Sequence, residues 1–138
     1  MNKKQREQAI AEQMKAKTAK PIRAALAIDF DGVIHSYEEG WKDGSIYGTP
    51  MEGSAEALQH LLEGFYVFIF TSRDPAQVKE WMKDHYNLPV ALISDQERFW
   101  DTKGVIGITN RKLPAIAYID DRAVPFHNWE ELNNAFKS

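Results

Sequence analysis

The sequence predicts an α/β fold, a parallel sheet with helices on both faces, and three observations lead there. Two runs, residues 24–28 and 65–70, are apolar at every position, as strands covered on both sides are. Segments with apolar residues at helical spacing alternate with these runs. Three times an apolar run breaks into polar residues: at Asp29-Phe30-Asp31, at Thr71-Ser72-Arg73 and at Asp120-Asp121-Arg122. In a parallel sheet wound with right-handed crossovers, ligands bind beyond the carboxyl ends of the strands, where strand order reverses. All three breaks belong on that edge, so the arrangement is Rossmann-like.

Composition narrows the function classes. At 138 residues the chain is long enough for one well-filled core but not two. It has no cysteine, which removes disulfides, thiolate metal sites and Cys nucleophiles. No apolar run approaches the ~20 residues that cross a bilayer, and no signal-peptide core opens the chain, so a cytoplasmic protein without membrane contact is expected. The net charge of −3 conceals an asymmetry: residues 1–20 hold six Lys/Arg against two Glu, the remainder eleven basic against eighteen acidic residues. An acidic body is poorly suited to tracking a long phosphate backbone, although a terminal phosphate or a nucleotide fits it.

In order, residues 2–20 read as a charged helical extension with Ile10 and Met14 on a narrow apolar face, either loosely docked or serving as a partner-binding arm, ended by Pro21. The main domain then spans 21–138. Its first strand, 24–28, runs into Asp29, Asp31 and Gly32, the last suited to a sharp turn. Residues 33–53 are long for a loop and rich in aromatics, which argues for a folded flap, with His35, Tyr37 and Trp41 either facing a substrate or packing the flap itself. Residues 54–63 form a helix with Ala55, Leu58 and Leu62 inward, stopped by Gly64. The second strand, 65–70, ends at Thr71. Asp74 caps a helix opened by Pro75 and carrying Val78, Trp81, Met82 and Tyr86. A short strand follows at 90–93. Between 96 and 114 Phe99 and Trp100 look buried, and 105–108 fits a strand of either direction. The strand 115–119 ends in Asp120 and Asp121, and 128–136 closes as a helix.

Asp29 and Asp31, two apart at a strand end, point the same way with Phe30 turned from them. Two converging carboxylates repel unless they share a cation or one keeps a proton, so a divalent metal or acid/base chemistry is implied.

With Asp29-Phe30-Asp31-Gly32-Val33, Phe70-Thr71-Ser72-Arg73, a lysine, and Tyr118-Ile119-Asp120-Asp121-Arg122, residues 22–138 resemble the haloacid dehalogenase superfamily of phosphohydrolases. The run Thr109-Asn110-Arg111-Lys112-Leu113-Pro114-Ala115 resembles its small bacterial and phage-encoded members. The resemblance implies a Mg²⁺-dependent phosphomonoesterase. Asp29 would be the nucleophile, forming an aspartyl-phosphate, and Asp31 the acid and base, kept partly protonated by its neighbours. Thr71, through its hydroxyl and backbone N–H, and Ser72 would hold phosphoryl oxygens. Mg²⁺ would take Asp29, the backbone carbonyl of Asp31, Asp120, and Asp121 directly or in support. Forty positions separate Asp31 from Thr71, too few for a cap domain beside the flap and a helix-strand unit, so the site is expected to be open and capless. An open site suits a large phosphorylated substrate or a partner subunit that covers it.

A phosphate-neutralising lysine has two candidates. Lys103 follows the strand 90–93 and its loop, which a simple trace leaves near the active edge. Lys112 precedes Asp120 by eight positions, ~26 Å if fully extended, but Pro114 works against that extension and the family pattern favours Lys112. A receiver-like or catalytically idle phosphate-binding module is the alternative class. Receivers, however, place the acidic pair a whole strand before the phosphorylated Asp, whereas here Asp-x-Asp opens the sheet.

Overall fold

The computed structural model describes residues 1–17 and 24–137. Five strands, β1 (Ala25–Asp29), β2 (Tyr66–Phe70), β3 (Val90–Leu92), β4 (Ile106–Thr109) and β5 (Ala117–Ile119), form one sheet in the order β3-β4-β2-β1-β5. Every pairing is parallel, which gives the expected α/β, Rossmann-like class. From β1 the chain builds β2, β4 and β3 to one side, then crosses to lay β5 on the other. Strand order therefore reverses between β1 and β5. Ile28 pairs with Ile119 and Asp29 with Phe70, so Asp29 and Asp120 emerge side by side at the carboxyl edge.

Alternation along the strands builds two cores. On one face Ile28, Val67, Ile69, Ile106 and Ile108 pack against Leu58 and Leu62 of α2 (Ser54–Gly64) and against Val78, Trp81 and Met82 of α3 (Pro75–His85). Asp74 caps α3 by accepting from the Ala76 N–H, with Pro75 in the first turn. On the other face Ala27 and Phe68 are covered by Ile93, Trp100 and Leu113, all from connecting loops. Loop side chains thus do on this face what α2 and α3 do on the first, which corrects the expectation of helices on both faces: among the described residues no helix residue joins this second core. Trp100 is fixed there by its indole N–H, which donates to the Val105 carbonyl at 3.1 Å.

Several expectations are corrected in detail. Ala55 is exposed, because the inward stripe of α2 is narrower than its spacing suggested. Phe99 is 59% exposed, since only Trp100 of that pair reaches the sheet. The strand expected at 105–108 is β4 at 106–109, one residue later, parallel and buried throughout.

The charged helix α1 (Lys3–Lys17) opens with a reciprocal cap: Asn2 Oδ1 accepts from the Gln5 N–H, and Gln5 Oε1 accepts from the Asn2 N–H. Ile10 on its narrow apolar face is 61% exposed. Its expected end at Lys20 and Pro21, and with it the domain boundary, lies outside the described residues. α4 (Trp129–Ala135) is capped by Asn128, whose Oδ1 accepts from the Glu131 N–H. No helix is long and apolar enough to cross a membrane among the described residues.

The cover of the second face has a sharp point of contact. A Cβ at Gly107 would lie 2.7 Å from Ile93 Cδ1 and 2.8 Å from the Trp100 ring. Gly107→Ala should lower stability by about 1–3 kcal/mol, read as a drop in the urea midpoint, because the ring cannot give way without leaving the sheet. An unchanged or raised midpoint would mean that Trp100 does not close this face.

Candidate active site

The carboxyl edge gathers the three polar breaks. Carboxylate oxygens of Asp29, Asp120 and Asp121 all lie within 4.8 Å of one another, at the point where strand order reverses. Asp29, half-buried at the end of β1, accepts from the Phe30 N–H through Oδ1 at 2.8 Å, and Phe30 is packed in the core, turned from the site as expected. Asp120 is held by the Arg122 N–H at 2.8 Å. Asp121 comes so close to the loop after β1 that a Cβ on Gly32 would overlap its Oδ2, and Gly32 itself has φ 83. Glycine is needed there for room as well as for backbone angle.

Burial, opposed by the Phe30 hydrogen bond and reinforced by the charges of Asp120, Asp31 and Asp121, raises the Asp29 carboxyl from 3.8 to about 6. Three hard oxygen donors without imidazole or thiolate make a set suited to Mg²⁺ or Ca²⁺ rather than to softer ions. The Asp31 carboxylate stands outside this cluster.

Asp31 is held from two sides. Its Oδ1 lies 2.9 Å from His35 Nδ1 and its Oδ2 accepts from Arg73 Nε at 2.8 Å. The Gly48 N–H donates to His35 Nε2 at 2.9 Å, so Nε2 is bare and Nδ1 carries the proton given to Asp31. The neighbours expected to leave a proton on Asp31 are therefore donors to it. His35 is fully buried and stacked on Phe30, which settles its side of the flap alternative as packing. Tyr37 and Trp41 instead line a crevice with Asp29, Asp31, Ser72 and Asp121. The flap is tied at its base by His35–Pro50 bridging and by bonds between Ser36 and Thr49 and between Met51 and Ile34. Between Asp31 and Thr71 the described elements are this flap, α2 and β2, with no separate cap.

Thr71 is buried and lines a second crevice with Asp29, Ser72, Asn110 and Asp120. The resemblance implies that its backbone N–H holds a phosphoryl oxygen, and this is corrected: that N–H donates to the Thr109 carbonyl at 3.0 Å. Its hydroxyl oxygen accepts from the Arg73 N–H, leaving the hydroxyl proton to donate elsewhere. Exposed Ser72 borders both crevices.

The two lysines separate by topology. Lys103 precedes β4 by three residues and so sits at the amino edge, away from the carboxylates: the chain beyond β3 returns to that edge before a parallel β4 can start. Lys112 follows Thr109 by three residues on the carboxyl edge. Its ammonium lies 4.9 Å from the ring centroid of Tyr118, a wall of the second crevice, and is exposed rather than part of the lining.

Sequence reasoning assigned no role to Arg73, Arg122 or the contact of His35 with Asp31. Arg73 and Arg122 each stand in a quoted motif, two residues after Thr71 and Asp120, and that spacing was the available signal. A larger cavity of about 690 Å³, between the flap and α3, is lined by Asp43, Glu80, Trp81 and Asp84 and touches none of the expected site residues. Comparisons with protein-family models, curated proteins and solved structures find no match to this chain.

The carboxylate cluster predicts a pH-dependent cost. With Asp29 raised to about 6, the folded state holds a proton that the unfolded chain releases. The ionised carboxylate therefore weighs against folding, fully above about 6 and less as pH falls toward 3.8. In chelator at pH 7.5, Asp29→Asn, which keeps an acceptor for Phe30, should melt above the wild type, with the gap narrowing toward pH 5. Equal melting temperatures at pH 7.5 would contradict the crowding of these carboxylates.

Proposed function

We propose that the chain is a Mg²⁺-dependent phosphomonoester hydrolase of haloacid dehalogenase type, working in the cytoplasm through an aspartyl-phosphate on Asp29. The observation that carries this reading is the convergence of Asp29, Asp120 and Asp121 within 4.8 Å at the strand-order reversal, with Asp31 beside them. Asp29, Asp120, Asp121 and the Asp31 backbone carbonyl would hold Mg²⁺, which when bound offsets the charge of the phosphoryl group.

Asp29 Oδ1 is engaged by Phe30, so Oδ2 is the oxygen that attacks phosphorus in line. A phosphorus–oxygen bond forms on Asp29 as the ester's phosphorus–oxygen bond breaks, and the leaving oxygen takes a proton from Asp31. Water then attacks phosphorus and gives its proton to Asp31, releasing phosphate and regenerating the carboxylate of Asp29. Each oxygen of Asp31 accepts one bond from His35 or Arg73 and keeps a further lone pair for this proton. The Thr71 hydroxyl and Ser72 would hold phosphoryl oxygens, and Lys112, on the same edge, would reach them from beside Tyr118. The acidic body favours a terminal phosphate over a long polyanion.

Clean protein should release phosphate from an aryl phosphate in Mg²⁺ and not in chelator, and Asp29→Asn should lose several powers of ten in kcat. Release that persists unchanged in Asp29→Asn would reject the hydrolase, and phosphate binding without release would leave the idle module. Among the lysines, Lys112→Met should slow turnover by several powers of ten and Lys103→Met should leave it near normal. The reverse pattern would overturn the assignment of Lys112.

A further inference from the structure

We propose that Tyr37 and Trp41 form a stacking surface for a planar aromatic group on the ester, so that the site prefers nucleoside and aryl monophosphates to aliphatic ones. This names the substrate class of the hydrolase site and rests on that reading.

The two rings share a crevice with Asp29, Asp31 and Ser72, so a group on a phosphate held at Asp29 that leaves by this crevice, and not by the one beside Thr71, passes along them. The crevice measures about 140 Å³, below the ~300 Å³ of pockets that enclose a whole ligand, and admits little more than the reacting phosphate. The rest of the substrate lies outside, against the flap. Trp41 is 49% exposed while its ring lies over the Arg73 guanidinium, 4.6 Å from Cζ to centroid. One part of the indole is thus supported by a buried cation and another is open at the mouth.

The support is rigid. Arg73 is anchored by Asp31 and by the Gly44 carbonyl at 2.7 Å, so little side-chain freedom remains to be lost when a ring stacks on Trp41. Tyr37 has φ 50, a left-handed conformation rare for a non-glycine residue. The turn maintains it: the Gly40 N–H donates to the Tyr37 carbonyl, while the Tyr47 hydroxyl accepts from the Glu39 N–H and donates to the Gly40 carbonyl. An aromatic held at such a backbone angle beside the site is a device for placing its ring. Arg122 lines the same crevice, and Glu38, Glu39, Lys42 and Asp43 are exposed in the flap on either side of Trp41, so the flat face of the indole stands among polar groups.

The test compares adenosine 5′-monophosphate with glycerol phosphate. The ratio of their kcat/KM values should fall roughly tenfold in Trp41→Ala, as the loss of one base–aromatic stack predicts, and recover in Trp41→Phe. A ratio that stays unchanged in Trp41→Ala overturns the proposal. If neither ester is turned over, the hydrolase reading fails separately, and the stack is read from the Trp41 indole N–H resonance of chelator-treated wild type. A shift of that resonance on adding adenosine 5′-monophosphate sustains the stacking surface, and none overturns it.

Discussion

Arg73 is 2% exposed, and the answer its charge requires ties three separate parts of the chain together. The guanidinium meets Asp31 from the loop after β1, the Gly44 carbonyl from the flap and the faces of Trp41 and Tyr37, while its own backbone N–H closes the turn after β2 on Thr71. Exposed pairs such as Lys3–Glu7 and Lys42–Glu39 contribute little, because water screens them. The Arg73–Asp31 pair is of another kind, since a buried charge stripped of its partner costs ~3–5 kcal/mol when burial is complete. Nη2 has no partner among the described residues, which makes the remaining contacts weigh more. The flap stays over the carboxylates because leaving would strand this cation.

The sheet supplies the complementary constraint. β2 and β4 end in the same device, Thr-x-Arg, with each threonine oxygen accepting the arginine N–H two residues on. The two arginines then diverge. Arg73 turns to Asp31 and the flap, whereas Arg111 donates to the Ser94 and Glu97 carbonyls and pins the loop that follows β3. Parallel register puts Thr109 level with Asp29 and Thr71 one residue beyond, so one local motif used twice fixes both loops at that edge. Against this frame the crowding of Asp29, Asp120 and Asp121 is unfavourable in itself, and a bound cation is its natural counterweight.

Much of this was legible in the residues. Unbroken apolar runs identified β1 and β2, and the three breaks led directly to the edge where Asp29, Asp120 and Thr71 meet. Elements whose burial depends on distant partners were harder to read. β4 carries Gly107 at its centre, so its pattern is weak, and only the close approach of Trp100 explains why glycine stands there. Phe99 and Trp100 are indistinguishable in type, yet only one reaches the sheet. The position of Lys103 hinged on the direction of β4, which local pattern does not encode. The role of Arg73 was invisible for a related reason: its partner Asp31 lies forty-two residues away, and nothing local marks a pair at that range.

The most direct test is a crystal of the protein soaked in Mn²⁺, an oxygen-seeking stand-in for Mg²⁺ that is located by its anomalous scattering. The account predicts a peak among the carboxylates of Asp29, Asp120 and Asp121, with the Asp31 backbone carbonyl as a further ligand. A well-ordered site with no peak there, or a peak only in the cavity lined by Asp43, Glu80 and Asp84, would contradict it.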